Sequence, residues 1–225
     1  MTIEVERRPV EAAGQVTTVR LARPSSRTGP PVLLLHPWWG LNPDIEGLQD
    51  RLADAGFTVA APDLFQGTIA TSKEDADRLS SGLDEAFGDA ATLAAADLLL
   101  AESGDARAAT VGLSMGAAWA LWLPAQRPRF VATVLYYGTM TGPSLARTKA
   151  AVQGHFAESD PYESTAGVAE VETALRDAGR EVEFHTYPGT GHWFAEPSQE
   201  AYVAEAADLA FDRTVAFLRR ELSGT

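Results

Sequence analysis

Short apolar runs recur along the 225-residue chain, each followed by a stretch of helical periodicity, and this alternation most constrains the fold. "PVLLLH" from Pro31, "FTVAAPDL" from Phe57, "ATVGLS" from Ala109, "FVATVLYYG" from Phe130 and "KAAVQGHFAESD" from Lys149 are largely apolar at consecutive positions. A strand of that kind must be covered on both faces. The final run, "EVEFHTYPG" from Glu181, reads as a further strand. Between them lie "NPDIEGLQDRLADAG", "DAATLAAADLLLAES", "MGAAWALWLPAQ" and "ESTAGVAEVETALRDAG", and a last helix with Phe211, Val215, Leu218 and Leu222 on one stripe. In the first helix Asn42 can cap, Pro43 suits the first turn and Gly56 ends it, with Ile45, Leu48, Leu52 and Ala55 as the apolar stripe. The predicted class is α/β, a mainly parallel, doubly wound sheet flanked by helices.

Two segments depart from that rhythm. "TIEVERRPV" and "QVTTVRLA" alternate polar with apolar residues around Gly14, which predicts an exposed antiparallel hairpin. Residues 67–88 are polar and irregular in period, and read as a loop with one or two short helices and as a candidate partial lid. No internal repeat or linker interrupts the chain, so a single domain over 1–225 is expected.

Composition removes whole classes of chemistry. With no cysteine there is no disulfide, no thiolate metal site and no thiol nucleophile. A net charge of −13 works against nucleic acid and anionic membranes as partners. No apolar run reaches the ~18 residues of a membrane span, and the N-terminal stretch lacks a signal-like apolar segment. A cytoplasmic location and a small-molecule partner are the expectation; oligomeric state is not readable.

In open α/β sheets functional groups collect at the carboxyl ends of the strands. His36, Pro37, Trp38, Trp39 and Gly40 follow "PVLLL"; Ser114 follows "ATVGL"; Asp160 follows "AVQGHFAES"; His192 follows the last strand, in a Gly-rich loop. The order Ser, Asp, His is that of the α/β-hydrolases. "GLSMG" suits a nucleophile on a tight strand-to-helix turn, since Gly112 and Gly116 carry no Cβ to block close approach. Imidazole titrates where a base for a serine hydroxyl is needed, and an acid must orient it. His192 and Asp160 are the candidates, ahead of His36, His155 and His185 for the base, and of Glu158 and Asp63 for the acid. Asp63 reads as a turn or capping residue and His155 as structural. The oxyanion donors are expected from the backbone N–H groups of Met115 and Trp38. Trp39, Tyr136 and Trp193 are expected to wall a substrate pocket. No metal or organic cofactor is required.

"HPWWGLNPDIEGLQDRLADAGFTVAAPDLF", "VGLSMGAAWAL", "LYYG", "GHFAESDPY" and "YPGTGHWF" together resemble the dienelactone hydrolase family of the α/β-hydrolases, from about Pro31 onward. The resemblance implies an α/β-hydrolase fold without a large cap domain, a triad of Ser114, Asp160 and His192, and oxyanion donors at Trp38 and Met115. Three positions depart from it. Dienelactone hydrolases proper have cysteine where this chain has Ser114, glutamate where it has Pro37, and an arginine for the substrate carboxylate where it has Glu196. A carboxylate at Glu196 is expected to disfavour anionic substrates. The expected activity is a serine hydrolase of small neutral esters or lactones acting through an acyl-enzyme. The alternatives are an acyltransferase or peptidase on the same triad, and a catalytically silent binding protein on the same fold.

Overall fold

The computed structural model describes residues 3–104 and 107–223. They form two compact units, Met1–Ala108 and Ala109–Thr225. Each holds four strands, and the pairs of apolar strands are parallel while antiparallel pairing involves only the N-terminal hairpin, giving the mainly parallel α/β sheet flanked by helices that the apolar runs call for.

In the first unit the hairpin pairs β1 (Glu4–Ala12) with β2 (Gln15–Arg23). Its two-residue turn places Ala13 at φ 49° and Gly14 at φ 76°, the primed geometry that matches the twist of the flanking strands. β2 runs antiparallel to β4 (Thr58–Pro62), and β4 runs parallel to β3 (Pro31–Leu35). Every residue of β3 and β4 is buried, as their unbroken apolar sequence requires. Helix α1 (Pro43–Asp54) is capped by Asn42, whose side chain accepts the Ile45 N–H at 3.1 Å.

The buried stripe of α1 is Ile45, Gln49, Leu52 and Ala53, whereas Leu48 and Ala55 of the expected stripe are only half-buried. A glutamine replaces an apolar residue there because its amide is fully paired. Nε2 donates to the carbonyls of Arg20 and Val59, both at 2.8 Å, and Oε1 accepts from the Arg20 guanidinium at 2.8 Å. Residues 67–88 contain one short helix, α2 (Lys73–Ser81), capped by Ser72. The long helix α3 (Glu85–Ser103) begins four residues earlier than its periodicity suggests, because Asp84 caps it through the Ala86 N–H and Phe87 is buried.

The second unit orders its strands β5 (Ala108–Leu113), β6 (Phe130–Tyr136), β7 (Ala151–Ser159) and β8 (Val182–Gly191). β6, β7 and β8 are parallel. Helices α4 (Gly116–Gln126), α5 (Pro143–Arg147), α6 (Thr165–Asp177) and α7 (Ala204–Leu222) complete it. The Gly-rich segment before His192 is not a loop. A register shift between Ala157 and Ser159 lets β8 continue to Gly191, and the Gly189 N–H donates to Glu158 Oε2 at 3.0 Å. The buried face of α7 is likewise shifted from the expected stripe. Thr214 is buried between Phe211 and Leu218 because its hydroxyl pairs with Tyr136 Oη at 2.7 Å and His155 Nε2 at 3.0 Å.

Candidate active site

The geometry begins at the turn from β5 into α4. Ser114 has φ 49°, donates its N–H to the Tyr136 carbonyl at 2.8 Å, and accepts the Ala117 N–H through its own carbonyl at 2.9 Å. Two glycines make room for that bend. A Cβ on Gly112 would lie 2.5 Å from the Gly116 carbonyl oxygen, and one on Gly138 would lie 2.8 Å from Ser114 Cα and overlap its carbonyl oxygen. Gly112 belongs to the motif that marks the turn; Gly138 lies 24 positions after Ser114 and shows in the sequence only as the end of "LYYG".

The bend presents the Ser114 hydroxyl to His192, with Oγ and Nε2 at 2.9 Å. His192 Nδ1 lies 2.7 Å from Asp160 Oδ2, and the two side chains are 4% and 3% exposed. Donation from Nδ1–H to the carboxylate leaves Nε2 as acceptor for the serine proton, the tautomer a general base needs. Asp160 follows β7 in a turn whose Tyr162 and Glu163 N–H groups donate to Oδ1 at 2.8 and 3.1 Å. Burial alone pushes this carboxyl up, but the hydrogen bond and charge of His192, with those two N–H groups, outweigh it and hold it below the ordinary carboxylate range. Asp160 is therefore an anion aimed at the imidazole.

The other candidates are occupied elsewhere. His155 is fully buried, with Nδ1 2.8 Å from Tyr187 Oη and Nε2 near Gln153 Oε1 and Thr214 Oγ1; burial, reinforced by the charges of His185 and Arg213, drives its pKa well below the usual imidazole value. His36 accepts the Leu64 N–H at Nε2 and sits 2.7 Å from the Pro37 carbonyl at Nδ1, and burial lowers its pKa too. Asp63 accepts the N–H groups of Phe65 and Gly67, as a turn residue should. Glu158 holds Gly189, leaving Asp160 to the histidine.

Met115 lies at the N-cap of α4 with helical φ and ψ, directly after Ser114. Trp38 and Trp39 occupy the centre of a turn closed by the Gly40 N–H on the Pro37 carbonyl, just past β3 in the first unit. Their rings meet edge to face at 5.5 Å, with Trp38 half-buried and Trp39 buried. Trp193 is 7% exposed at φ 66°, its ring 4.9 Å from that of His192. Tyr136 is not in a pocket wall. It is 1% exposed in the core, with its hydroxyl on Thr214 and its ring 4.7 Å from His155.

Tyr137, one of the aromatics the sequence places near strand ends, and two residues that carry no sequence signal, Tyr162 and Glu163, lie at the triad. Tyr137, the neighbour of Tyr136, is fully buried and puts its ring 5.1 Å from His192 and 6.1 Å from that of Tyr136. Tyr162, half exposed, places its ring 4.8 Å from the imidazole. Glu163 grips Thr139 with both carboxylate oxygens, through the backbone N–H at 3.0 Å and the hydroxyl at 2.9 Å. Among the described residues of this unit the non-glycine positions with positive φ are Ser114, Tyr137 and Trp193, and each touches His192. Such backbone costs on the order of 1–3 kcal/mol per residue and persists where surrounding structure enforces it, most often at functional sites. No group of three or more His, Asp or Glu side chains among the described residues could hold a metal ion, and no described helix is long and apolar enough to cross a membrane.

The arrangement can transfer a proton from serine to histidine while a buried carboxylate stabilises the resulting imidazolium. Comparison with known proteins gives the chain's relatives. The model of the dienelactone hydrolase family matches residues 17–222. A protein of Aquifex aeolicus (strain VF5), provisionally named carboxymethylenebutenolidase, is 26% identical over 98% of both chains. The fold is also that of a dienelactone hydrolase-like promiscuous phosphotriesterase from metagenomic libraries (TM-score 0.87, 19% identity, 97% of this chain and 98% of that one). A cold-adapted esterase from an Arctic intertidal metagenomic library aligns over 98% of this chain and 94% of its own, with TM-score 0.76 and 22% identity.

Proposed function

The chain belongs to the dienelactone hydrolase family, and from that premise we propose that it is a serine hydrolase of small carboxylic esters or lactones, working through an acyl-enzyme. The observation that carries this reading is the continuous hydrogen-bonded line from Ser114 Oγ through His192 to Asp160, at 2.9 and 2.7 Å. Ser114 attacks the ester carbonyl as His192 Nε2 takes its proton, and Asp160 stabilises the imidazolium. The N–H of Met115, at the amino end of α4, is one donor to the tetrahedral oxyanion. The N–H of Trp38, in the turn after β3, is the second, an assignment that rests on the family resemblance. His192 then returns the proton to the leaving alcohol. Water, deprotonated by the same nitrogen, attacks the acyl-enzyme and releases the acid with Ser114 restored.

The substrate is a neutral ester or lactone, since Glu196 stands where the resembled family carries an arginine for a substrate carboxylate. Glu196 is 1% exposed and its Oε1 accepts the Tyr137 hydroxyl at 2.9 Å, so its effect on an anionic substrate is not the direct repulsion the sequence suggests. It supplies no cation for a substrate carboxylate, and the chain's net charge of −13 adds none at long range.

Initial rates on p-nitrophenyl acetate, wild type beside Ser114→Ala, test the reading. The variant is expected to lose several orders of magnitude, on the scale of about 10⁶-fold for loss of a triad serine. Equal rates for the two proteins would remove Ser114 from the chemistry and favour a binding role for the fold.

A further inference from the structure

Glu196 is a buried carboxylate one turn past the catalytic histidine, and the triad does not use it. Its Oε1 accepts the hydroxyl hydrogen of Tyr137 at 2.9 Å, and both residues are at most 1% exposed. Tyr137 is held from its backbone as well, where the N–H donates to the His155 carbonyl at 2.8 Å while φ sits at 36°. A tyrosine gains nothing from that backbone conformation by itself. In that conformation the ring keeps an edge-to-face contact with Tyr136, 6.1 Å between centroids, and reaches the triad. The ring then lies 5.1 Å from the imidazole of His192 and 5.5 Å, edge to face, from Phe194. Glu196 in turn is fixed by its own N–H on the Trp193 carbonyl at 2.9 Å, and Trp193 packs on His192 from another side.

We propose that Tyr137 and Glu196 form a positioning pair, in which the buried carboxylate pins the tyrosine hydroxyl so that the ring backs the imidazole of His192 in line with Ser114. The inference rests on the serine hydrolase reading above. It also gives Glu196 a task unrelated to substrate charge. Asp160 and Ser114 fix the two nitrogens of the imidazole, which still leaves the ring free to rock about the line between them; Tyr137 packs on it alongside Tyr162 and Trp193 and limits that motion from the buried side. Neither Tyr137 nor Glu196 touches the reacting atoms.

The test compares kcat, KM and Tm for wild type, Tyr137→Phe, the double variant Tyr137→Phe/Glu196→Leu, and Ser114→Ala, on p-nitrophenyl acetate. Tyr137→Phe leaves the buried carboxylate without its tyrosine donor, so Tm falls along with activity. Replacing both partners with apolar groups of similar shape removes that penalty. The double variant is therefore expected to regain most of the Tm while kcat stays about ten-fold down and KM stays within about two-fold, since sub-ångström misplacement of a catalytic group acts on the chemical step. If kcat returns together with Tm, or if Tyr137→Phe keeps wild-type kcat, the pair is an ordinary core hydrogen bond and the proposal is overturned. Ser114→Ala separates the two levels. Activity that survives its removal sinks the hydrolase reading and this inference with it, whereas a dead Ser114→Ala beside a fully active double variant sinks the positioning role alone.

Discussion

A single methyl group placed on Gly138 tests how closely the nucleophile turn is built. In Gly138→Ala the new Cβ would lie 2.8 Å from both Ser114 Cα and Ala117 Cβ, and would overlap the Ser114 carbonyl oxygen. Ordinary van der Waals contact begins at 3.4 Å, so Ser114 and residue 138 must separate by at least 0.6 Å, the difference between that and the 2.8 Å to Cα, and by more at the overlapped oxygen. Neither neighbour is the flexible end of a side chain. Ser114 is tied to Tyr136 through its N–H at 2.8 Å, and its carbonyl serves the first turn of α4. The displacement therefore falls on the nucleophile, whose hydroxyl starts 2.9 Å from His192. A shift approaching 1 Å in a catalytic group costs on the order of 10²-fold, so kcat should fall about ten- to a hundred-fold with KM little changed. Overpacking of this kind also costs about 1–3 kcal/mol, a drop of about 2–12 °C in Tm for a chain of this size. The assay is kcat and KM on p-nitrophenyl acetate with a thermal melt. Gly47→Ala is the control, since Gly47 lies in α1 and a Cβ there meets nothing within 4 Å. A Gly138→Ala protein with kcat within about three-fold of wild type would refute the argument that the end of β6 sets the serine.

Other consequences follow from the same geometry. Asp160→Asn keeps the shape of the triad but favours the wrong imidazole tautomer, and kcat should drop by about 10³- to 10⁴-fold; a loss under ten-fold contradicts the orienting role. Gln49→Leu strips the Arg20 and Val59 carbonyls of their donor, at about 2–4 kcal/mol, seen as a fall of about 5–15 °C in Tm; an unchanged melt would mean that the amide is dispensable. Stability should also decline in acid. Burial lowers the folded pKa of His155 below the ordinary imidazole value of about 6.5, so the unfolded chain binds the proton first as pH falls. Its contribution is whole above that value and is lost progressively below it, by up to about 1.4 kcal/mol per pH unit. Melts between pH 7.5 and 5 should show His155→Gln with a shallower slope than wild type, and equal slopes would refute the assignment. Because position 196 carries a carboxylate where the resembled family carries an arginine, a neutral lactone should be turned over with higher kcat/KM than its carboxylated analogue; the reverse order would overturn the neutral-substrate reading.

Much of this protein is legible in one dimension because the forces involved are local or periodic. Consecutive apolar residues in "PVLLL" and "ATVGL" mark strands covered on both faces, Asn42 and Pro43 mark a helix start, and the groups at strand ends mark where chemistry collects. Ser114, Asp160 and His192 were nameable for that reason, each standing within a residue of a strand's carboxyl end. What tertiary structure alone decided is phase and partnership. Tyr136 and Tyr137 are adjacent, equally aromatic and both buried; only the fold puts the hydroxyl of the first on Thr214 of α7 and the ring of the second beside His192. Nothing in the sequence marks Gln49 or Glu196 as a buried polar residue; each is one only because Arg20 and Tyr137, distant in sequence, arrive to pair with it. The Gly138 contact with Ser114 belongs to the same class. A hydrogen bond between residues 59 positions apart, as Tyr137 and Glu196 are, leaves no periodicity and no local signature in the chain, so it exists only once folding has brought its two ends together.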